Sequence, residues 1–356
     1  MVIFILILLM LVISRAQIAK PGEFNTGYTD IPQTNVVKGI FVILVLLGHG
    51  SSYIQVQGVL DQPYLYMRSH LGQMVVSMFL FYSGFGMMKS IMKKRFGYIK
   101  SLPVKRFLII LLNFDIAVFL FWIMNQILGI EFDWKTILLS LTGWVGIGNS
   151  NWYMFAIFVL YILLFISFFM LRWLKKDWAL YLGLVLFTIL SIAFVYWEIR
   201  VGQPKWCYDT VILFALGSWF ALLQDKINAV WLKNDYLYLT GCAIMGVLYW
   251  WSFVNNGKGG IELYSVWAVI FTLTVVVVTM KIKVNSVLLG WFGKHVFSIY
   301  ILQRIPMTVL SRSGFTAGHP YTFIVLTLLC TMALAVIFDY FVGKFDKFLL
   351  KHWLKE

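Results

Sequence analysis

From residue 36 onward, apolar stretches of about 20 residues alternate with short polar segments, and each stretch matches an α-helix that crosses a hydrocarbon core. By hydropathy the stretches fall at roughly 36–57, 71–92, 103–128, 150–171, 178–197, 207–224, 235–254, 261–281, 284–310 and 321–343. The pattern predicts an all-α fold, a polytopic integral membrane protein with ten transmembrane helices plus a short N-terminal hydrophobic helix. Residues 1–14 are apolar but short for a span, and they are expected to form that extra helix or an interfacial anchor. A polar linker with Pro21, Gly22 and Pro32 follows. The expected division is 1–34, hydrophobic segment and linker, and 35–356, one membrane domain without an internal repeat.

The first predicted span carries Lys38 near its start and His49 near its end, eleven residues apart. At about 100° per residue, eleven steps return to the same helical face, about 16 Å further along the axis. One side chain can therefore sit at the membrane surface and the other past the midplane, on a common line.

Composition agrees with the periodicity. The chain of 356 residues is 61% hydrophobic and 12% charged, about half the charged fraction of a soluble domain. The net charge of +14 is explained by loops on one side of a membrane, and nucleic acid is not an expected partner. Alternate loops starting after the first span hold seven cations (Arg68, Lys135, Arg200, Lys205, Lys258, Arg304, Arg312), and the opposite set holds nineteen. The cation-rich set is cytoplasmic by the positive-inside rule, which puts Lys38 at the cytoplasmic mouth. Cys207, Cys242 and Cys330 are far apart, no metal-type spacing occurs, and no metal is expected. Glycine-rich phosphate loops and a Gly-x-Ser-x-Gly elbow are absent.

Candidate chemistry lies among the polar groups inside the spans. His49 is costly in an apolar helix, and imidazole suits general-base work near neutral pH; a helix-bridging hydrogen bond is the structural alternative. The basic run from Lys89 to Arg106 is either an ordinary membrane anchor or a phosphate clamp. Lys105 and Arg106 follow Pro103 at the start of the third span, where a helix N-terminus also favours anions. Asp115, about a dozen residues into that span, needs a partner or a proton; it could orient His49 or pair with a cation. Ser83-Gly84, Asn113, Asn151, Trp152, Tyr153, Glu198, Asp209, Ser298, Tyr300, Gln303 and Arg304 complete the set.

Four segments, in order, carry a resemblance. Lys38 through His49 resembles the first-span motif of the acyltransferase-3 family, arginine, ten residues and histidine, with lysine in place of the arginine. Met78 through Phe85 resembles its Phe-rich, Ser-Gly end of the second span, and Asn151 through Tyr161 its Trp-Tyr span. Ser298 through Gln303 resembles its late Ser/Tyr segment, with glutamine where the family has histidine. Arg106 matches half of a paired-arginine motif whose second place holds Ile109. The resemblance implies a multi-pass cell-membrane enzyme that O-acylates sugars or surface polysaccharides of the cell envelope. The acyl donor would be cytoplasmic acyl-CoA, most simply acetyl-CoA, so that O-acetylation is the expected reaction. It carries His49 over as the base and Lys38 and Arg106 as donor-binding residues. Alongside these, the residues suggest Lys105 at the donor, Asp115 in the catalytic set, and Trp152, Tyr153, Ser298, Tyr300 and Gln303 at the carbohydrate acceptor. Membrane lipid is the remaining expected partner. A covalent acyl-histidine is a variant of the reaction. A transporter or flippase of a lipid-linked sugar is the rival reading, although the inverted repeats of many transporters are not apparent.

Overall fold

The computed structural model describes residues 1–56, 58–174, 176–255, 260–314 and 319–353. Lys175, Lys258 and Lys355, which contribute to the charge asymmetry, lie outside the described residues. The chain runs through α1 (Val2–Ile13), β1 (Ala16–Ile18), α2 (Ile31–Gly50), α3 (Gln62–Leu71), α4 (Met74–Lys94), α5 (Phe96–Leu102), α6 (Ile109–Ile127) and α7 (Trp134–Ser140). It continues through α8 (Trp152–Met170), α9 (Trp178–Arg200), α10 (Ile212–Trp231), α11 (Asp235–Asn255) and α12 (Ile261–Lys281). The last part is β2 (Ile282–Val284), α13 (Val287–Lys294), α14 (Val296–Leu302), α15 (Arg304–Arg312) and α16 (Pro320–Trp353). Among the described residues, nine helices are long and apolar enough to cross a membrane, and the chain is an all-α, multi-pass membrane protein. α5 and α6 count as one of the nine, joined by a π-helical turn at Pro103–Leu108.

The ninth predicted stretch, 284–310, departs from a single span. It runs as the three short helices α13, α14 and α15. Pro306 has no N–H for the Leu302 carbonyl four residues earlier, which weakens the helix where α14 meets α15. His295, between α13 and α14, has φ −96° and ψ 17°, outside the helical region. Irregular backbone at membrane depth is tolerated where protein covers it, and Ser298 through Gln303 are all buried.

The first membrane helix begins earlier than hydropathy indicates, at Ile31, with Pro32 in its first turn where a missing N–H costs nothing. α1, about 18 Å long, is too short to span alone. Leu8, Leu11 and Val12 of α1 pack with Val36, Ile40 and Leu44 of α2. β1 then pairs antiparallel with β2, Ala16 opposite Val284.

α4 is the central helix. In its most apolar stretch 72% of residues are buried, against 11% in peripheral α11. Two helix pairs approach backbone to backbone. A Cβ at Gly39 of α2 would overlap the Leu289 carbonyl oxygen of α13, and a Cβ at Gly293 of α13 would overlap the Asn35 carbonyl oxygen of α2. α4 and α10 repeat the arrangement, Gly84 against the Phe214 carbonyl and Gly217 against the Phe81 carbonyl. Small residues at such crossings allow the close van der Waals packing that joins helices in lipid. Gly39→Val and Gly84→Val are therefore expected to lower the unfolding midpoint of the detergent-solubilised protein, at about 1–3 kcal/mol each. Gly246→Ala, where an added Cβ meets nothing within 4 Å, should leave the midpoint unchanged in the same thermal melt.

Candidate active site

Two cavities lie along α2 and α4. The larger, about 680 Å³, is lined by Lys38 of α2, Lys89 of α4 and Arg106 of the π-helical turn, with Asn113, Tyr153 and Tyr161 around them. Its described lining includes three cations and no carboxylate. Lys89 reaches it because Tyr82, Phe85, Gly86 and Lys89 recur at helical spacing along one face of α4. The Arg106 Nε donates to the Tyr98 hydroxyl at 3.2 Å, which holds the guanidinium in place. π-helical turns shift the register of a helix face and are frequent at functional sites.

The smaller cavity, about 250 Å³, contains His49, with Ser52, Tyr64, Arg68 and Trp152 in its wall. His49 Nδ1 is buried and has no hydrogen-bond partner among the described residues. The charges acting on the imidazole come from Arg304 and Arg68, both cations. Arg68 donates from Nη2 to Ser52 Oγ at 2.9 Å, and Arg304 donates from Nε to Ser150 Oγ at 3.0 Å. The Tyr64 hydroxyl meets the Leu47 carbonyl oxygen at 2.9 Å and Ser51 Oγ at 2.8 Å. Burial pushes the Tyr64 phenol above its ordinary value, so it remains an O–H donor.

Tyr300 belongs to the walls of both cavities. Its ring meets that of Tyr153 edge-on, centroids 5.3 Å apart. The broken helix sets its position. Ser298 Oγ and His295 Nδ1 both bond the Asp339 carboxylate of α16, which ties α14 to its neighbour. Gln303 is 0% exposed, and its Nε2 donates to the Tyr300 carbonyl at 3.1 Å. Ser150 also neighbours the Tyr300 hydroxyl, without geometry that makes a hydrogen bond.

The candidates named from sequence therefore separate. Lys38, Arg106 and Tyr153 meet in the cationic cavity, His49 and Trp152 meet in the other, and Tyr300 touches both. Ser298 and Gln303 line neither cavity and instead hold the segment that carries Tyr300. Lys105, one residue before Arg106, is not in either lining. Asp115 also lines neither, and no hydrogen bond joins it to His49 among the described residues. The reason is helical geometry: Asn113 faces the cationic cavity, and two further residues turn about 200° to the opposite side. Arg68 was visible in the sequence only as a loop cation, and Lys89 only as the first residue of a basic run that read as an anchor or a phosphate clamp. No group of three or more His, Cys, Asp or Glu side chains suited to a metal occurs among the described residues.

A family model described as an acyltransferase domain, Acyl_transf_3, matches residues 31–340. The chain belongs to that acyltransferase family. No curated protein and no solved structure matches it significantly. In this acyltransferase a cavity containing His49 and a cavity lined by three cations share one tyrosine, Tyr300.

Positive-inside orientation requires the cationic cavity of this acyltransferase to open to the cytoplasm and the His49 cavity to the opposite face. Gly48 and Gly86, one in each wall, are both positions where an added Cβ meets nothing within 4 Å. In a variant lacking the native cysteines, an anionic membrane-impermeant thiosulfonate should modify Gly48→Cys from outside and Gly86→Cys only from the cytoplasmic side. Labelling of both from one side would overturn the orientation.

Proposed function

We propose that this acyltransferase moves an acyl group, most simply acetyl, from cytoplasmic acyl-CoA to a hydroxyl of a surface polysaccharide or its lipid-linked precursor. The observation that carries the reading is the shared Tyr300 wall. A donor held by its phosphates in the cationic cavity would lie against Tyr300, which also walls the His49 cavity, and its thioester arm would follow the Lys38–His49 face of α2.

Lys38, Lys89 and Arg106 supply charge-assisted contacts to the phosphates of CoA; the described lining holds no carboxylate, and Asp225 acts on Lys89 from outside it. The pantetheine arm passes Tyr300 and brings the thioester carbonyl to His49. The acceptor hydroxyl enters from the other side, past Trp152. Neutral His49 takes the hydroxyl proton as the oxygen attacks the carbonyl carbon. Arg68, fixed by Ser52, stands in the same wall and favours the oxyanion that forms. Collapse of the intermediate breaks the C–S bond, and the imidazolium returns its proton to the departing CoA sulfur. Asp115 stays outside this scheme because it faces neither cavity.

Two measurements test the scheme. In purified protein, His49→Ala should lower transfer of labelled acetyl from acetyl-CoA to glycan by about 10²-fold or more, with the melting profile retained. Wild-type turnover in that variant would overturn the assignment of the base. Arg106→Ala and Lys89→Ala should each raise the KM for acetyl-CoA about tenfold, and the wild-type KM should itself rise with salt. An unchanged KM in both variants would remove the phosphate clamp.

A further inference from the structure

A third cavity, about 190 Å³, opens beside the His49 cavity and shares Trp152 with it. It is formed where the end of α9, the segment before α10 and the loop ahead of α8 converge. Glu198 lies in its wall, 2% exposed, and the carboxylate Oε2 is buried without a hydrogen-bond partner among the described residues. Three indoles surround it, Trp144, Trp152 and Trp206, together with the side-chain amides of Asn151 and Gln203. A carboxylate placed inside a membrane protein is costly and marks a functional group by default.

The wall is built rather than loosely assembled. Trp144 stacks near Phe155 of α8, centroids 5.0 Å apart, and near Trp197 of α9, centroids 5.6 Å apart. Its loop is pinned by Asn151 Nδ2 donating to the Gly143 carbonyl at 2.8 Å, and Gly143 adopts φ 78°, a conformation open to glycine. Asn125 Nδ2 donates to the Ile147 carbonyl at 2.7 Å, which ties the same loop to α6. On the far side, Cys207 donates its thiol to Gln203 Oε1 at 3.7 Å, leaving the Gln203 amide N–H groups for a ligand.

We propose that this cavity binds one sugar ring of the acceptor glycan, the unit next to the one that is acylated. The proposal rests on the acyl-transfer reading for its direction, because it places the reacting ring past Trp152 at His49. The chemistry favours a polyol. Hydroxyl groups both donate and accept, which matches a carboxylate and two amides together, and the apolar C–H face of a pyranose suits indole. A small organic cation would use the carboxylate and the rings but leave the amides idle. The volume lies below that of drug-sized sites, which fits a single ring.

Saturation-transfer NMR on the detergent-solubilised full chain tests this with methyl glucoside, methyl N-acetylglucosaminide and choline as probes. The wild type is expected to transfer saturation to at least one glycoside, with apparent affinity about tenfold weaker in Glu198→Ala and in Trp206→Ala. Trp206 is 52% exposed, so its removal leaves the fold intact even if Glu198→Ala does not. His49→Ala should bind the glycoside as the wild type does. Sugar binding without acetyl transfer would sink the acyl-transfer reading and leave the subsite standing. No glycoside signal in the wild type, a signal unchanged in both cavity variants, or selective binding of choline would overturn the subsite.

Discussion

Backbone carbonyls pressed against glycines hold this protein together. Between helices in lipid, apolar side chains gain little by leaving their solvent, so association depends on how closely two surfaces fit. Gly39 with Gly293, and Gly84 with Gly217, let α2 meet α13 and α4 meet α10 without intervening side chains. The consequences reach the candidate site. α2 and α4 both contribute to the walls of the two main cavities, so the alignment of Lys38, His49 and Lys89 is set by these crossings. Gly84 belongs to the Ser83-Gly84 step that carries part of the family resemblance, and its role in the fold is close approach.

The interrupted helix provides what the straight ones do not. A continuous span would satisfy every backbone group internally and present its side chains with a single regular twist. The breaks at His295 and near Pro306 free the segment from that regularity. Asp339 and Ser150 then fix it from outside, through His295, Ser298 and Arg304, while Gln303 bonds the Tyr300 carbonyl within it. Tyr300 gains a position on both cavities as a result. Polar residues that would be expensive in a lipid-facing helix serve here as partners for one another and for the exposed backbone.

The charge pattern divides the interior. Cations without a carboxylate line the larger cavity, suited to an anionic donor, while Arg68 and Arg304 act on His49 at the other end. The buried Glu198 stands apart in an aromatic wall on the same side as His49. Tyr300 is common to the cation-lined and His49 cavities, and Trp152 to the His49 and Glu198 cavities.

Much of the fold was legible in the chain because lipid imposes a simple length and polarity rule: apolar stretches of about 20 residues become spans. The common face of Lys38 and His49 followed from helical period alone, and the ordered motifs pointed to the family that the match over residues 31–340 establishes. Side-chain direction was not legible. In a membrane bundle the lipid-facing and interior-facing positions are both apolar, so hydropathy carries little information about which face turns inward. That is why Asn113, not Asp115, meets a cavity, why Arg106 lines one and Lys105 does not, and why neither Lys89 nor Glu198 could be assigned to a cavity from the chain alone. The sequence by itself determined the class of molecule, most of its spans and the placing of one histidine and one lysine on a single helix. Only the tertiary structure decided which polar groups share a cavity, because that depends on where glycine contacts and helix breaks place neighbouring backbones.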